Sequence, residues 1–575
     1  MTNNIRSSFV AQGTATSEAD RDAYKLRGLM PAVVETLEKQ ATRAFEQLRN
    51  KTSDLEKYIF LAWLRNTNTR LFYKLVMDSP EEIMPLIYTP TVGAACVNYS
   101  HIYPFLGPNG NFDGLFISID DLPIIDQIIE NYKNSLPSSE ISPDIAVVTD
   151  GSRILGLGDL GVGGMGIPVG KLQLYVAAAG IDPRKTLPIC LDFGTNNQKN
   201  LDDPLYIGLR RNRPEDPEFY QAVDTVLASL NKAFPKMLIQ FEDFSSEHAF
   251  ELLDRHRERY LSFNDDIQGT GAVILSGFIN AVREVGIPAK QHKLLFFGAG
   301  SAGVGVAKQI MDYFVLEHGM TEDEAKRLFW LNDSKGLVTL DRGDKLAQHK
   351  VYFARDDNEG KQFKDLKETI KHVRPTALIG LSSQGGVFTP EILELLAEIN
   401  ERPIVFPLSN PATQAECSFE QAMIHTKGKV LFASGTAFPR YKDEQGVEHV
   451  PGQGNNMYIF PGLGLGAILA RPSRITDTII YASAAALADS LTENERKSHL
   501  LYPRIDRIRE VSAVVAAAVC RQAVKENLAT EPEILSILPV GETAEVGTPA
   551  WDELIKHVEG NMWKPVYETE IISRM

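Results

Sequence analysis

The sequence predicts an α/β chain with a helical lead-in, an α/β domain, and a domain built on a doubly wound parallel sheet. Three observations carry this. Short β-rich runs alternate with helical patterns from about residue 115 onward, the order that produces parallel sheets covered by helices. One glycine-rich turn, GAGSAGVG at 298–305, sits between an apolar strand pattern and a long helix pattern. The chain's 575 residues also exceed what one hydrophobic core organises.

The lead-in spans 1–81. From Leu29 to about Met77, apolar residues recur at helical spacing in PAVVETLEKQATRAFEQL and LEKYIFLAWLRNTNTRLFYKLVM. The first 22 residues lack an apolar signal core. Arg6 and the Ser/Thr content leave room for an organellar address, and Glu18, Asp20 and Asp22 count against one.

The α/β domain spans 82–264, where LFISI, IAVVTD, PICLDF and LIQFED read as strands and PVGKLQLYVAAAG as a helix. The third part spans 265–530. Strands KLLFFG, LFWLND, ALIGLS, PIVFPLS and KVLFAS alternate there with helices starting near Ala302, Lys364 and Pro390. Two further helices, near Thr476–Asp489 and Ile505–Lys525, belong to a stretch, 456–525, that can pack back on the preceding domain. A tail follows at 531–575.

Composition narrows the function. Hydrophobic residues at 43% and charged residues at 23% match a globular protein, and the longest apolar runs, IIYASAAALA and VSAVVAAAVC, are too short for a bilayer. A net charge of −16 without a long basic tract argues against nucleic acid as the main partner. Cys96, Cys190, Cys417 and Cys520 lie far apart with no paired spacing, which fits reduced thiols inside a cell. The expected setting is cytoplasmic, with the mitochondrial matrix as the alternative.

At 298–305, Gly298, Gly300 and Gly303 form GxGxxG between strand and helix. There the glycines permit a tight turn and close backbone approach, and amides at Ser301 and Ala302 on the helix start can receive a pyrophosphate. A structural glycine turn is the plainer alternative. Asp333 ends the next strand, where a carboxylate meets an adenine ribose and favours NAD over NADP, although it lies beyond the usual ~20-residue spacing. Ser334, Lys335 and Lys350 complicate that choice: the lysines either meet a 2′-phosphate or are solvated.

Glu242-Asp243 in LIQFEDF and Asp265-Asp266 in SFNDDIQGTG are carboxylate pairs upstream of that turn. Carboxylate oxygens suit Mg²⁺ or Mn²⁺, and no Cys/His spacing suits zinc. At 156–166, GLGDLGVGGMG holds six glycines ahead of Pro168 and Lys171. The loop lacks the Gly-Lys-Ser/Thr ending of a P-loop, so it reads as close backbone approach to a small substrate and as aiming Lys171. A helix-borne lysine is normally solvated; apolar neighbours favour a neutral, basic amine instead. Arg153 is either a carboxylate clamp or an ordinary ion-pair arginine. Tyr88 is either a proton donor or the anchor of the turn before Pro90.

Taken jointly, IYTPTVG, VVTDGSRILGLGDLGVGGMGIPVGKL, LIQFEDF, FNDDIQGT, GAGSAG, LSNPATQAEC and PGQGNNMYIFPG resemble the malic enzymes in order and spacing, from about Leu29 to Leu528. The resemblance implies oxidative decarboxylation of malate to pyruvate and CO₂ with reduction of NAD or NADP. It further implies Glu242, Asp243 and Asp266 as ligands of Mg²⁺ or Mn²⁺, Lys171 as general base, Tyr88 as general acid, and Asp265 as the group orienting the lysine. Arg153, Asn410 and Asn456 would contact the dicarboxylate or nicotinamide, with Asn455 close by. Adjacent strand residues face opposite ways, so Glu242 and Asp243 can share a metal only where the strand breaks down.

Family members are homotetramers or homodimers. Those activated by fumarate use two lead-in arginines; Arg43 resembles one, while Thr67 occupies the other position, which argues against such activation unless nearby Arg65 compensates. Two alternatives stay open: oxaloacetate decarboxylation or pyruvate reduction as the dominant activity, and a catalytically silent dinucleotide-binding regulator.

Overall fold

A computed structural model describes residues 7–108, 113–136, 138, 140–539 and 544–567. The first six residues, part of the stretch weighed as a leader, and parts of the expected tail lie outside the described residues. The chain divides into two compact units. One holds residues 1–266, 464–475 and 508–575; the other holds 267–463 and 476–507. Of the stretch expected to pack back, 464–475 and 508–525 thus belong to the first unit and 476–507 to the second.

The first unit contains a five-stranded parallel sheet: β1 (Leu115–Ser118), β2 (Ile145–Thr149), β3 (Thr186–Asp192), β4 (Leu238–Phe241) and β5 (Ser262–Asn264), in the order β1-β3-β2-β4-β5. Residues of β2 and β4 are buried throughout, which explains their continuous apolar runs. The lead-in forms helices Leu37–Arg49, Asp54–Thr67, Thr69–Asp78 and Pro80–Ile87. Ser53 and Glu56 close a capping box on the second of these.

The helix Gly166–Ala179 is buried along its whole length, as its lack of a polar face requires. It ends at Gly180, whose φ of +65° makes the left-handed cap. Arg509 donates to the carbonyls of Val176 (3.4 Å) and Ala177 (2.8 Å), so helix Ile508–Lys525 supplies partners for the orphaned end. The tail contributes as well: the Trp563 amide donates to Gly180 O at 2.6 Å.

The second unit carries a seven-stranded sheet: β6 (Leu294–Phe297), β7 (Phe329–Asp333), β8 (Gly336–Leu337), β9 (Ala377–Gly380), β10 (Ile404–Pro407), β11 (Leu431–Ser434) and β14 (Gly452–Gln453). The order is β14-β11-β10-β9-β6-β7-β8, parallel except for the β7–β8 hairpin. A short antiparallel pair, β12 (Tyr441–Lys442) with β13 (Glu448–His449), lies apart from it. Strand β6 pairs with both β7 and β9, so the chain reverses its winding there, the position where doubly wound sheets bind ligands at their carboxyl ends. Leu295, Leu378, Val405 and Phe432 are among the buried residues of this unit's core. All four cysteines are free and buried.

Candidate active site

The register of the first sheet assembles the carboxylates. Phe241 pairs with Asn264 across β4 and β5, the last residues of both strands, so Glu242 comes level with Asp265 and Asp243 with Asp266. The strand ends at Phe241, and Asp243 adopts φ +54°. This turn breaks the alternation that would otherwise send Glu242 and Asp243 to opposite faces. The Asp243 amide donates to Asp266 Oδ2 at 2.7 Å, and Asp243 Oδ2 accepts from the Leu155 amide at 3.2 Å.

Oxygens of Glu242, Asp243 and Asp266 lie within 4.8 Å of one another. Burial drives the Glu242 and Asp243 carboxyls well above the usual carboxylate range; Lys171 opposes this at Glu242, and Asp266 adds to it at Asp243. An all-oxygen donor set that pays desolvation and mutual repulsion fits a hard divalent cation, which would offset both.

Lys171 projects from the buried helix into the same cluster. Its amine pairs with Asp265 and lies 3.1 Å from Glu242 Oε1. The expectation of a neutral amine is corrected here. Burial works to lower the amine's pKa, but Asp265 and then Glu242 outweigh it and hold the value well above the ordinary lysine range. Apolar helix neighbours revealed the burial; they could not reveal two carboxylates arriving from another element.

Tyr88 caps the helix Pro80–Ile87 and packs its ring 5.5 Å from Lys171 Nζ. Gly170 makes room for it, since a Cβ there would sit 2.8 Å from Tyr88 Cδ2. Burial pushes the Tyr88 phenol well above its ordinary value, with Lys171 opposing. The structure therefore brings together Tyr88, Lys171, Glu242, Asp243, Asp265 and Asp266. Arg153 joins from the loop after β2: its amide donates to Asp243 O at 3.2 Å, and its exposed guanidinium donates to Ser246 Oγ.

The glycine-rich loop serves packing more than ligand approach. Gly161, Gly163, Gly164 and Gly166 are buried. A Cβ on Gly151 would fall 2.0 Å from Gly161 O, so two backbone segments touch there. Arg213 anchors the turn, donating to Asp159 Oδ1 at 2.8 Å and to Asp150 O at 2.9 Å.

In the second unit, Gly298 follows β6 with φ +120°, and a Cβ there would meet Leu381 O, just beyond β9, at 2.2 Å. Only glycine fits where β6 and β9 diverge. Gly300, Ser301 and Ala302 are exposed, and the helix Ser301–Leu316 has no side-chain cap. Its first amides are thus open to an anion. Gly303 packs tightly, a Cβ lying 2.1 Å from Gly298 O.

Asn410 is exposed after β10, beside the cis bond to Pro411. Asn456 Nδ2 donates to Thr270 Oγ1 at 3.0 Å, and Asn455 Oδ1 accepts from the Met457 amide at 3.0 Å. These three belong to the second unit, and the carboxylate cluster belongs to the first.

Asp333 ends β7 in a cluster that Arg342 and Lys350 complete. Arg342 donates to both its oxygens, at 2.9 and 3.0 Å, and Lys350 Nζ lies at 2.7 Å. Lys350 is only 18% exposed, so it is not a solvated lysine. The β7–β8 hairpin brings Arg342 back to Asp333, and the turn residues Ser334 and Lys335 are the sequence signal of that hairpin. In the lead-in, Arg43 pairs with Glu35 and Arg65 with Asp113.

Two family models match: "Malic enzyme, N-terminal domain" over residues 65–257, and "Malic enzyme, NAD binding domain" over 267–524. The chain is 47% identical over 528 residues to the NADP-dependent malic enzyme of Dictyostelium discoideum, covering 92% of this chain and 94% of that protein. It is 41% identical over 562 residues to the NAD-dependent malic enzyme of Acinetobacter baylyi, covering 97% and 94%. The crystal structure of Entamoeba histolytica malic enzyme shares its fold, with a TM-score of 0.55 at 23% identity over 96% of this chain and 92% of that one.

Proposed function

The chain belongs to the malic enzyme family, and from that premise we propose that it oxidatively decarboxylates malate to pyruvate and CO₂ while reducing a nicotinamide dinucleotide. The observation that carries this reading is the cluster of three metal-type carboxylates with a buried lysine and tyrosine, in a chain that also holds a doubly wound unit with an open glycine turn.

Glu242, Asp243 and Asp266 would hold Mg²⁺ or Mn²⁺, which supplies Lewis acidity at the C2 oxygen and compensates the carboxylate charge that keeps Lys171 protonated. A dinucleotide held at the open start of the helix Ser301–Leu316 would supply the acceptor for the C2 hydride. Lys171 in its neutral form takes the C2 hydroxyl proton, with Asp265 fixing its direction. Arg153, exposed beside the cluster, clamps a substrate carboxylate. Tyr88 delivers its proton to C3 after CO₂ has left; its raised pKa keeps that proton in place until then. Asn410, Asn455 and Asn456 serve the dicarboxylate or nicotinamide.

The reading is tested by cation removal. Protein stripped with EDTA should show no malate-dependent dinucleotide reduction, and added Mn²⁺ should restore it. Undiminished activity in stripped protein would contradict the proposal.

For the dinucleotide, we read NADP as preferred and NAD as accepted, in place of the modest NAD preference that Asp333 alone suggests. The Asp333 carboxylate is offset by Arg342 and Lys350, leaving the ribose end net positive. A charge-assisted hydrogen bond contributes about 1.5–3 kcal/mol, which corresponds to ~10–100-fold in affinity. Lys350→Ala should raise KM for NADP by that factor and change KM for NAD far less. Equal shifts would return Lys350 to a structural partner of Asp333.

A further inference from the structure

One polar chain runs behind the carboxylate cluster. Gln240 lies on β4, two residues before Glu242 and on the same face, and is fully buried. Its Nε2 donates to Glu242 Oε2 at 2.7 Å. In the ionised form that would hold a cation, Glu242 only accepts, so the amide nitrogen faces it and Oε1 faces away. Tyr175 meets that Oε1 with its hydroxyl as donor.

Tyr175 stands one helical turn after Lys171 and is also fully buried. Helix and strand are thus tied twice: Lys171 reaches Glu242 Oε1 at 3.1 Å, and Tyr175 reaches Gln240. Within the same unit, Gly464 accommodates the Tyr175 ring, since a Cβ there would sit 2.4 Å from Tyr175 Cε1.

We propose that Tyr175 and Gln240 are positioning residues for the cation site: they fix the rotation of the Glu242 carboxylate and thereby set the affinity of the Glu242–Asp243–Asp266 trio for a divalent ion. The inference rests on the reading of that trio as cation ligands. With Gln240 in place, Glu242 cannot swing both oxygens toward Lys171. Without it, one buried carboxylate oxygen loses its donor and the ligand rotates toward the ammonium. Without the Tyr175 hydroxyl, the amide stays but is free to turn.

The test is Mn²⁺ binding to the full-length protein by calorimetry and by the loss of the free-ion paramagnetic signal, without substrate. Gln240→Leu should weaken binding by ~10–100-fold, the range set by outer partners of metal ligands. Tyr175→Phe keeps the ring and should weaken it in the same direction by less. The double variant should be no worse than Gln240→Leu, because both act through one chain of hydrogen bonds.

NADP affinity, which depends on the second unit, should be unchanged, and a wild-type circular-dichroism spectrum with a cooperative thermal transition shows that each variant is folded. Turnover at saturating Mn²⁺ should recover most of the wild-type value. Wild-type Mn²⁺ affinity in a folded Tyr175→Phe and Gln240→Leu would overturn the inference, as would losses that simply add. If the unaltered protein itself binds no Mn²⁺, the reading of the trio fails instead.

Discussion

Lys171→Ala should lower malate oxidation by on the order of 10³-fold, within the ~10²–10⁴-fold range of a positioned general base. Lys171 contacts both Asp265 and Glu242. Substitution therefore removes the base and takes this positive charge away from two buried carboxylates. The chemistry and the metal-free stability should fall together, since an uncompensated buried charge is costly. Dinucleotide binding should survive, because Gly298, Gly300 and Gly303 belong to the other unit. Stopped-flow hydride transfer and equilibrium titration with NADP separate the two effects. Turnover near wild type would remove Lys171 from the mechanism.

The second large effect concerns the cation ligands. Glu242→Gln, Asp243→Asn and Asp266→Asn should each raise the Mn²⁺ concentration for half-activation by more than the ~10–100-fold typical of outer-sphere partners, because each removes an anionic oxygen from the trio. Asp243→Asn should also stabilise the metal-free protein. Burial and then Asp266 raise the Asp243 carboxyl in the folded state. Its ionised form therefore costs stability at every pH above the ordinary carboxylate value, and a neutral amide removes that cost while still accepting from Leu155. A higher melting temperature together with lost Mn²⁺ activation is the expected pair. Unchanged Mn²⁺ response in all three variants would mean the cation binds elsewhere.

The elements that position this site were legible where they are long and periodic. IAVVTD and LIQFED became β2 and β4, and the acidic pairs at strand ends pointed to one hard-metal cluster. Strand β5, only Ser262–Asn264, is too short to show alternation, yet its register against β4 is what brings Asp265 and Asp266 level with Glu242 and Asp243. The charge on Lys171 was likewise hidden, because it depends on carboxylates that chain order places about 70 and 90 residues away. Gln240 read as one polar residue in an apolar run; only the meeting of β4 with the helix Gly166–Ala179 shows what it holds. Asp333 and Lys350 are legible as groups of the ribose end, whereas Arg342 is not, since the β7–β8 hairpin returns it to Asp333.

Product stoichiometry with malate labelled at C4, Mn²⁺ and NADP tests whether the chain decarboxylates the malate it oxidises. Oxidative decarboxylation predicts one labelled CO₂ and one pyruvate for each NADPH formed, all three lost together in Lys171→Ala. NADPH formed with oxaloacetate accumulating and no labelled CO₂, or no NADPH or NADH formed from malate with either dinucleotide, would contradict it.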